Sequence, residues 1–326
     1  MRDVTALGEV LIDFTESGVS ASGQRLFEQN PGGAPANFLT AISRLGATTG
    51  FIGKVGNDLH GRYLREVLLS EAIDCSGLVV DPVAFTTLAF VALGDNGERS
   101  FSFARKPGAD TLIAPEDVAE SAIRESKVFH FGSLSLTDEP ARSAVWKALG
   151  DARAAHVTVS YDPNYRPLLW DSEASAITQM KSVLHMVDVM KVSDEEATLL
   201  TGFVASAEAA KALLAMGPKV VVVTKGEKGA ELYTHNFNVA DGGFPAQCID
   251  TTGAGDCFWG NFIFQYIRCE KPLEDIAASE YSAFLAYANA AASLCVEQRG
   301  GIPAMPTMDK IRSEEHTSEL QSRHNL

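Results

Sequence analysis

The chain has 326 residues, 46% of them hydrophobic and 21% charged, enough apolar material for one large α/β domain or two ordinary ones. With 27 Lys and Arg against 42 Asp and Glu the net charge is −15, which argues against nonspecific binding to nucleic acid or to an anionic membrane; a bound nucleotide would have to rely on local donors. The five cysteines, Cys75, Cys248, Cys257, Cys269 and Cys295, are odd in number and contain no C-x-x-C, so they suggest neither a disulfide framework nor a zinc site and read as reduced core thiols.

Met1 to Thr5 leads straight into an apolar run without a signal-type segment, and no apolar stretch of 18 residues occurs, so a cytoplasmic protein with no membrane partner is expected. Val4 to Phe14 predicts a strand, Pro35 to Leu45 a helix, Thr49 to Val55 a strand and Gly61 to Glu71 a helix, which is βαβ patterning. A different texture follows. Thr86 to Leu93 and Arg99 to Ala104, separated by Gly94-Asp-Asn-Gly97, predict a hairpin, and with Leu26 to Asn30 they predict a small sheet standing off the main domain. The alternation then resumes: strands at Lys127 to Gly132, Val157 to Asp162, Val187 to Val192 and Val220 to Lys225, helices at Glu139 to Ala154, Ala174 to Leu184, Glu195 to Thr201 and Ala207 to Met216. The Val-rich runs suit parallel strands buried on both faces. Beyond Pro306, Arg312 to Leu326 is polar and aperiodic and reads as a non-native tail, leaving 1–311 as one domain.

Asp250-Thr-Thr-Gly-Ala-Gly-Asp256, just ahead of the apolar run Cys257 to Phe264, carries most of the chemistry. A Gly-rich turn opening a helix presents unpaired N–H groups, aided by the helix dipole, to an anion such as a transferring phosphoryl group. A carboxylate beside that anion repels it. The use for Asp256 is therefore to accept a proton from the attacking hydroxyl, while Gly253 shapes the turn and the amides of Ala254, Gly255 and Asp256 hold the developing charge. That is a phosphotransferase arrangement; a plain Gly-rich helix cap would carry the same Gly253-Ala-Gly-Asp256. His130, between Phe129 and Phe131, reads as a hydrogen-bonded core histidine.

The chain resembles the ribokinase, or phosphofructokinase-B, family of sugar kinases from Ala6 to about Pro306. Asp250 to Asp256 matches its D-T-x-G-A-G-D segment, and Gly32-Gly-Ala-Pro-Ala-Asn-Phe-Leu-Thr-Ala-Ile-Ser-Arg-Leu-Gly46 looks like its first motif. Within the family the likeness is to bacterial fructokinases, through Gly8 to Asp13, Phe51 to Gly56, Arg99 to Phe103 with Arg105 to Asp110, Phe129 to Leu134 and Asp162-Pro-Asn-Tyr-Arg-Pro167. Ala104 departs from it, standing where an aromatic is more usual. The resemblance implies a ribokinase-like three-layer α/β/α domain with a mainly parallel central sheet and a small β-sheet lid, about 14–32 and 86–110, that often pairs between subunits. A homodimer through the lid is accordingly expected. The implied reaction is ATP-dependent phosphorylation of a small sugar, most closely fructose at its 6-hydroxyl, with Mg²⁺ bridging phosphates. The rivals are 2-keto-3-deoxygluconate kinase and, from another class, a catalytically silent sugar- or nucleotide-binding regulator.

The resemblance also implies roles for individual residues. Asp13, read as the end of the first strand, would accept sugar hydroxyls, with Asn30, Gly32, Gly33 and Asn37 as further sugar contacts. Arg166 and Arg105 would reach the sugar or the transferred phosphate. Glu196, in Ser193-Asp-Glu-Glu196, would organise Mg²⁺-bound water, although an N-cap Ser with first-turn acids has the same pattern. Thr224, Lys225, Gly226 and Gly229 would form the nucleotide-phosphate turn and its hairpin, and Asn289 would lie near adenine. Asp250 and Thr252, with backbone from Val296 to Gly301, correspond to a monovalent-cation site, K⁺ being the expected ion.

Overall fold

The computed structural model describes residues 1–93 and 99–314. The strands are β1 (Arg2–Leu7), β2 (Leu11–Val19), β3 (Arg25–Gly32), β4 (Thr49–Gly56), β5 (Ile73–Asp81), β6 (Leu88–Leu93), β7 (Arg99–Ala104), β8 (Ser126–Gly132), β9 (Thr158–Asp162), β10 (Val189–Ser193), β11 (Val220–Thr224), β12 (Ala230–Thr234) and β13 (Asn238–Asp241). The helices are α1 (Ala34–Ser43), α2 (Leu59–Ser70), α3 (Glu120–Arg124), α4 (Ala141–Ala154), α5 (Glu173–Ser182), α6 (Asp194–Thr201), α7 (Ser206–Leu214), α8 (Ala254–Cys269) and α9 (Ala278–Val296).

The main sheet runs β13-β12-β11-β10-β9-β8-β1-β4-β5, parallel throughout except at β12 and β13. Its strands are buried on both faces, and side chains alternate between two cores. In β11, Val220 and Val222 join the core beneath α1, α2, α8 and α9, whereas Val221 and Val223 join the one beneath α4 to α7. The expected three-layer α/β/α architecture follows from that division. The sequence pattern did not mark β5, an edge strand whose mixed burial leaves no clean period.

One predicted strand is two. Val4 to Phe14 breaks at Gly8-Glu-Val10: β1 stays in the main sheet, and β2 leaves it for a four-stranded lid of order β3-β2-β6-β7. The apolar pattern runs across the break because Leu11 and Ile12 are buried at the root of the lid. Asp13 is thus a lid residue, not the end of the first strand, and pairs in register with Asn30 of β3. Alternation along the lid turns Asp13, Thr15 and Val91 toward the main domain. On the other face Phe14 stacks on Phe90 with centroids 5.4 Å apart, and Phe27 meets Phe90 edge-on.

All five cysteines are free; Cys75, Cys257 and Cys295 are core thiols as expected, but Cys248 is exposed in the segment before α8 and Cys269 is half-buried at the end of that helix. No single helix among the described residues is long and apolar enough to cross a membrane. In the predicted tail, residues 312–314 continue a helical segment that carries the buried Ile311. Residues 315–326 and the hairpin turn at Gly94 to Gly97 lie outside the described residues.

Candidate active site

A cavity of about 1110 Å³ opens beyond the carboxyl ends of β8 to β11, between them and the lid. It gathers Asp13, Asn30, Gly33, Asn37, Arg166, Glu196, Thr224, Lys225, Gly226, Asp250, Thr252, Gly253, Gly255 and Asp256 from the whole length of the chain.

Its floor is the start of α8. Gly253 precedes the helix in the left-handed region (φ 77°), where a side chain would strain the backbone and a Cβ would stand 3.1 Å from Gly301 Cα. The Ala254 amide donates to Thr251 O at 3.2 Å, and intrahelical bonding begins with Cys257 N to Gly253 O at 2.8 Å. Among the described residues no backbone carbonyl accepts from Gly255 or Asp256, so two amides, rather than the three expected, are left free to meet an anion. Asp256 is almost fully buried, and its Oδ2 accepts from Asn37 Nδ2 of α1 at 2.8 Å. Burial, reinforced by the carboxylate of Asp162, raises its pKa to about 7 against the opposing Asn37 hydrogen bond and the cations Lys191 and Arg166.

Around this floor the local chemistry follows from the sequence. α1 starts on Gly33, which has no side chain to cap it, and the buried Glu9 carboxylate accepts from Ala34 N at 3.1 Å instead. Asn37 Oδ1 has no hydrogen-bond partner among the described residues. Asp13 has a pKa raised to about 6 by burial, with Arg166 pulling it down and Asp250 pushing it up. Asn30 reaches Thr15 Oγ1 and Glu28 O, both at 3.4 Å. Asp250 ties a strap together: Oδ1 accepts from Thr252 N at 2.9 Å and Oδ2 from Gly300 N at 3.1 Å, while the Ile249 and Asp250 amides donate to Val296 O. Glu196 has the capping pattern: Ser193 is the N-cap of α6, and the Glu196 carboxylate accepts from Ser193 N at 2.9 Å and Tyr165 N at 2.7 Å.

Five predicted residues do not line the cavity. Gly32 lies behind Asp13, where a Cβ would stand 2.7 Å from Asp13 Oδ2. The Ala254 amide closes the turn just described. The Arg105 guanidinium is held inside the fold by Asp110 Oδ2 and Leu134 O, both at 2.8 Å, and Thr137 Oγ1 at 3.0 Å, so it is a buried structural ion pair. Gly229 permits close approach of the backbone after β13, since a Cβ would stand 2.0 Å from Asp241 O. Asn289 donates to Asp241 Oδ1 at 2.6 Å. His130 is in the core as expected, stacked on Phe38 with its Nδ1 3.0 Å from Ser160 Oγ, and burial lowers its pKa to about 3.

Sequence reading missed Lys191. It stands in β10 among apolar residues, buried at 6% exposure, with its Nζ 2.8 Å from Asp162 Oδ2. A charged residue inside a run that should be buried on both faces was the available signal.

The family described as pfkB family carbohydrate kinase matches residues 1–308. The chain is similar to the probable fructokinase-5 of Arabidopsis thaliana, 41% identical over 307 residues that cover 93% of this chain and 94% of that protein. Among solved structures it is similar to fructokinase with bound ATP from Xylella fastidiosa, with a TM-score of 0.90, 30% identity and coverage of 98% of this chain and 100% of that one. It is also similar to a double-mutant fructokinase from Vibrio cholerae O395 with fructose, ADP and potassium ion bound, with a TM-score of 0.87, 31% identity and coverage of 96% and 98%.

Proposed function

The chain belongs to the pfkB family of carbohydrate kinases, and on that premise we propose that it transfers the γ-phosphoryl group of ATP to the 6-hydroxyl of D-fructose. The observation that carries this reading is the buried Asp256, oriented by Asn37 beside the two free amides at the start of α8. Asp256 takes the proton of the attacking hydroxyl, and the amides of Gly255 and Asp256 meet the charge on the group in transit. Asp13 on the lid accepts sugar hydroxyls, with Asn30, Gly33 and the unpartnered Asn37 Oδ1 as neighbours; Arg166 supplies the cation nearest the sugar. The nucleotide lies toward Thr224, Lys225 and Gly226 at the end of β11, where Gly229 and Asn289 shape the adjoining backbone rather than touch the cavity.

The residues fit a loosely held Mg²⁺. The described residues contain no group of three acidic, His or Cys side chains able to cage a metal, and Mg²⁺ brought in with phosphates keeps its waters and needs only one or two carboxylates. Glu196, fixed by two amides with lone pairs to spare, would meet such a water. When bound, the ion neutralises phosphate charge. The strap of Asp250 and Thr252 against Val296 to Gly301 is the place for K⁺. A cytoplasmic setting accords with the five free thiols.

In a coupled pyruvate kinase and lactate dehydrogenase assay, fructose is expected to exceed 2-keto-3-deoxygluconate, ribose and adenosine in kcat/KM by roughly 10²-fold, the scale on which a site built for hydroxyls rejects ligands that leave them unpaired. An acid substrate needs a cation for its carboxylate; with Arg105 held by Asp110, Arg166 is the remaining candidate of the two. A higher kcat/KM for 2-keto-3-deoxygluconate would overturn the fructose assignment, and turnover of no sugar would favour the silent binder.

The outer lid face supports a homodimer. Phe27 is 39% exposed and Phe90 36%, and both belong to an aromatic cluster that a four-stranded sheet cannot cover alone. Light scattering is expected to give twice the chain mass, and Phe90→Glu to give the monomer. A monomeric wild type at micromolar concentration would defeat the proposal.

A further inference from the structure

We propose that Lys191 is a catalytic residue of the phosphoryl transfer, carrying charge on the group in transit from beside the α8 amides. The inference rests on the kinase reading above. Three observations carry it. Lys191 Nζ is 2.8 Å from the place a Cβ on Gly255 would occupy, which puts the ammonium beside one of the two free amides. The side chain lines the cavity although it is almost fully buried, so its charge acts where water screens little. Its position on β10 is also fixed by the fold: it alternates with Met190 and Val192, which face the α4 to α7 core, and so shares with Val189 the side facing α8.

A buried lysine is costly unless paired, and Asp162 supplies the pair at 2.8 Å. Burial opposes the charge, but Asp162 and Glu196 outweigh it and hold the Lys191 pKa above its ordinary value, so the ammonium stays charged across the physiological range. One salt bridge uses one of its three N–H donors. The remaining donors can meet an anion oxygen bound at Gly255 N. In the transfer itself, the fructose 6-oxygen bonds to the γ-phosphorus, its proton passes to Asp256, and the bond to the β,γ-bridging oxygen breaks with its electron pair leaving on ADP. Lys191 forms and breaks no bond. It stabilises the equatorial oxygens while the two amides hold them from the helix side.

The rival explanation is that Lys191 merely neutralises Asp162. Lys191→Met and the double variant Asp162→Asn/Lys191→Met separate the two, because the double variant removes both buried charges and leaves none unpaired. All enzymes are assayed with the sugar that wild type turns over fastest in the panel above, so a failure of the fructose assignment appears in the wild-type control and not in the variants. Expected is a kcat roughly 10²-fold below wild type or lower in both variants, the scale for one lost transition-state donor, with sugar affinity within about 3-fold. Calorimetry is expected to show affinity for ATP falling about 10-fold more than affinity for ADP, as a contact to the terminal phosphate requires. Lys191→Arg, which keeps the charge and the Asp162 partner, should retain more activity than Lys191→Met. Recovery of kcat in the double variant to within about 5-fold of wild type, or equal weakening of ATP and ADP, would overturn the proposal.

Discussion

Asp256→Asn is expected to lower kcat by roughly 10²- to 10⁴-fold, the contribution of a positioned general base, while fructose and ATP bind close to wild-type strength. The substitution preserves shape, and the amide oxygen can still accept from Asn37. It removes only the proton acceptor. The pH profile gives a second signature. Burial, with the Asp162 charge, places the Asp256 pKa at about 7, so the base is competent above that pH and kcat/KM should fall as pH drops through it. The residual rate of the variant should lack that limb. Linkage runs the other way for stability: a carboxyl whose folded pKa is raised from 3.8 contributes stability below its unfolded pKa and loses it as pH rises through about 7. At pH 8 the Asn variant should therefore melt at or above the wild-type temperature. Wild-type turnover in Asp256→Asn would remove the residue from the mechanism.

Gly255→Val should abolish turnover, by about 10³-fold or more, and leave the fold intact. A Cβ at 255 would stand 2.8 Å from Lys191 Nζ, and the two methyls beyond it would cover the free amides of Gly255 and Asp256. Nothing in the backbone resists the change, since Gly255 lies within α8 and, unlike Gly253, has no positive φ. Circular dichroism melting should shift by only a few degrees while the coupled assay reads background, and Gly255→Ala should fall between. Activity within about tenfold of wild type would remove the α8 amides from the reaction.

The parallel sheet was legible because its strands carry apolar residues on both faces, and valines in series have no other economical place. The start of α8 was legible as a Gly-rich turn opening a helix, because Gly253 takes a left-handed φ there and an apolar run follows it. Other features were not. The break between β1 and β2 was hidden because lid root and main sheet bury their residues alike. Arg105 and Asn289 have side chains whose partners, Asp110 and Asp241, are set by tertiary packing and not by local pattern. Lys191 was read as part of a strand because the valines around it dominate the run. Ser193 to Glu196 carries a capping box in full, so the metal reading of Glu196 and the capping reading use the same atoms.

The hydrogen bond from Asn37 to Asp256 spans 219 residues of chain. Synthesis from the N-terminus delivers Asp13, Asn30 and Asn37, the proposed sugar contacts, long before Asp256, and Gly300, which fastens the Asp250 strap, emerges later still. Because α8 packs directly against α1, the base takes its place only when the final quarter of the chain docks onto the first. A nascent or truncated chain ending before residue 250 would hold most of the cavity's lining, Lys191 included, but neither Asp256 nor the free amides of α8, so the site is completed only as the last helices close.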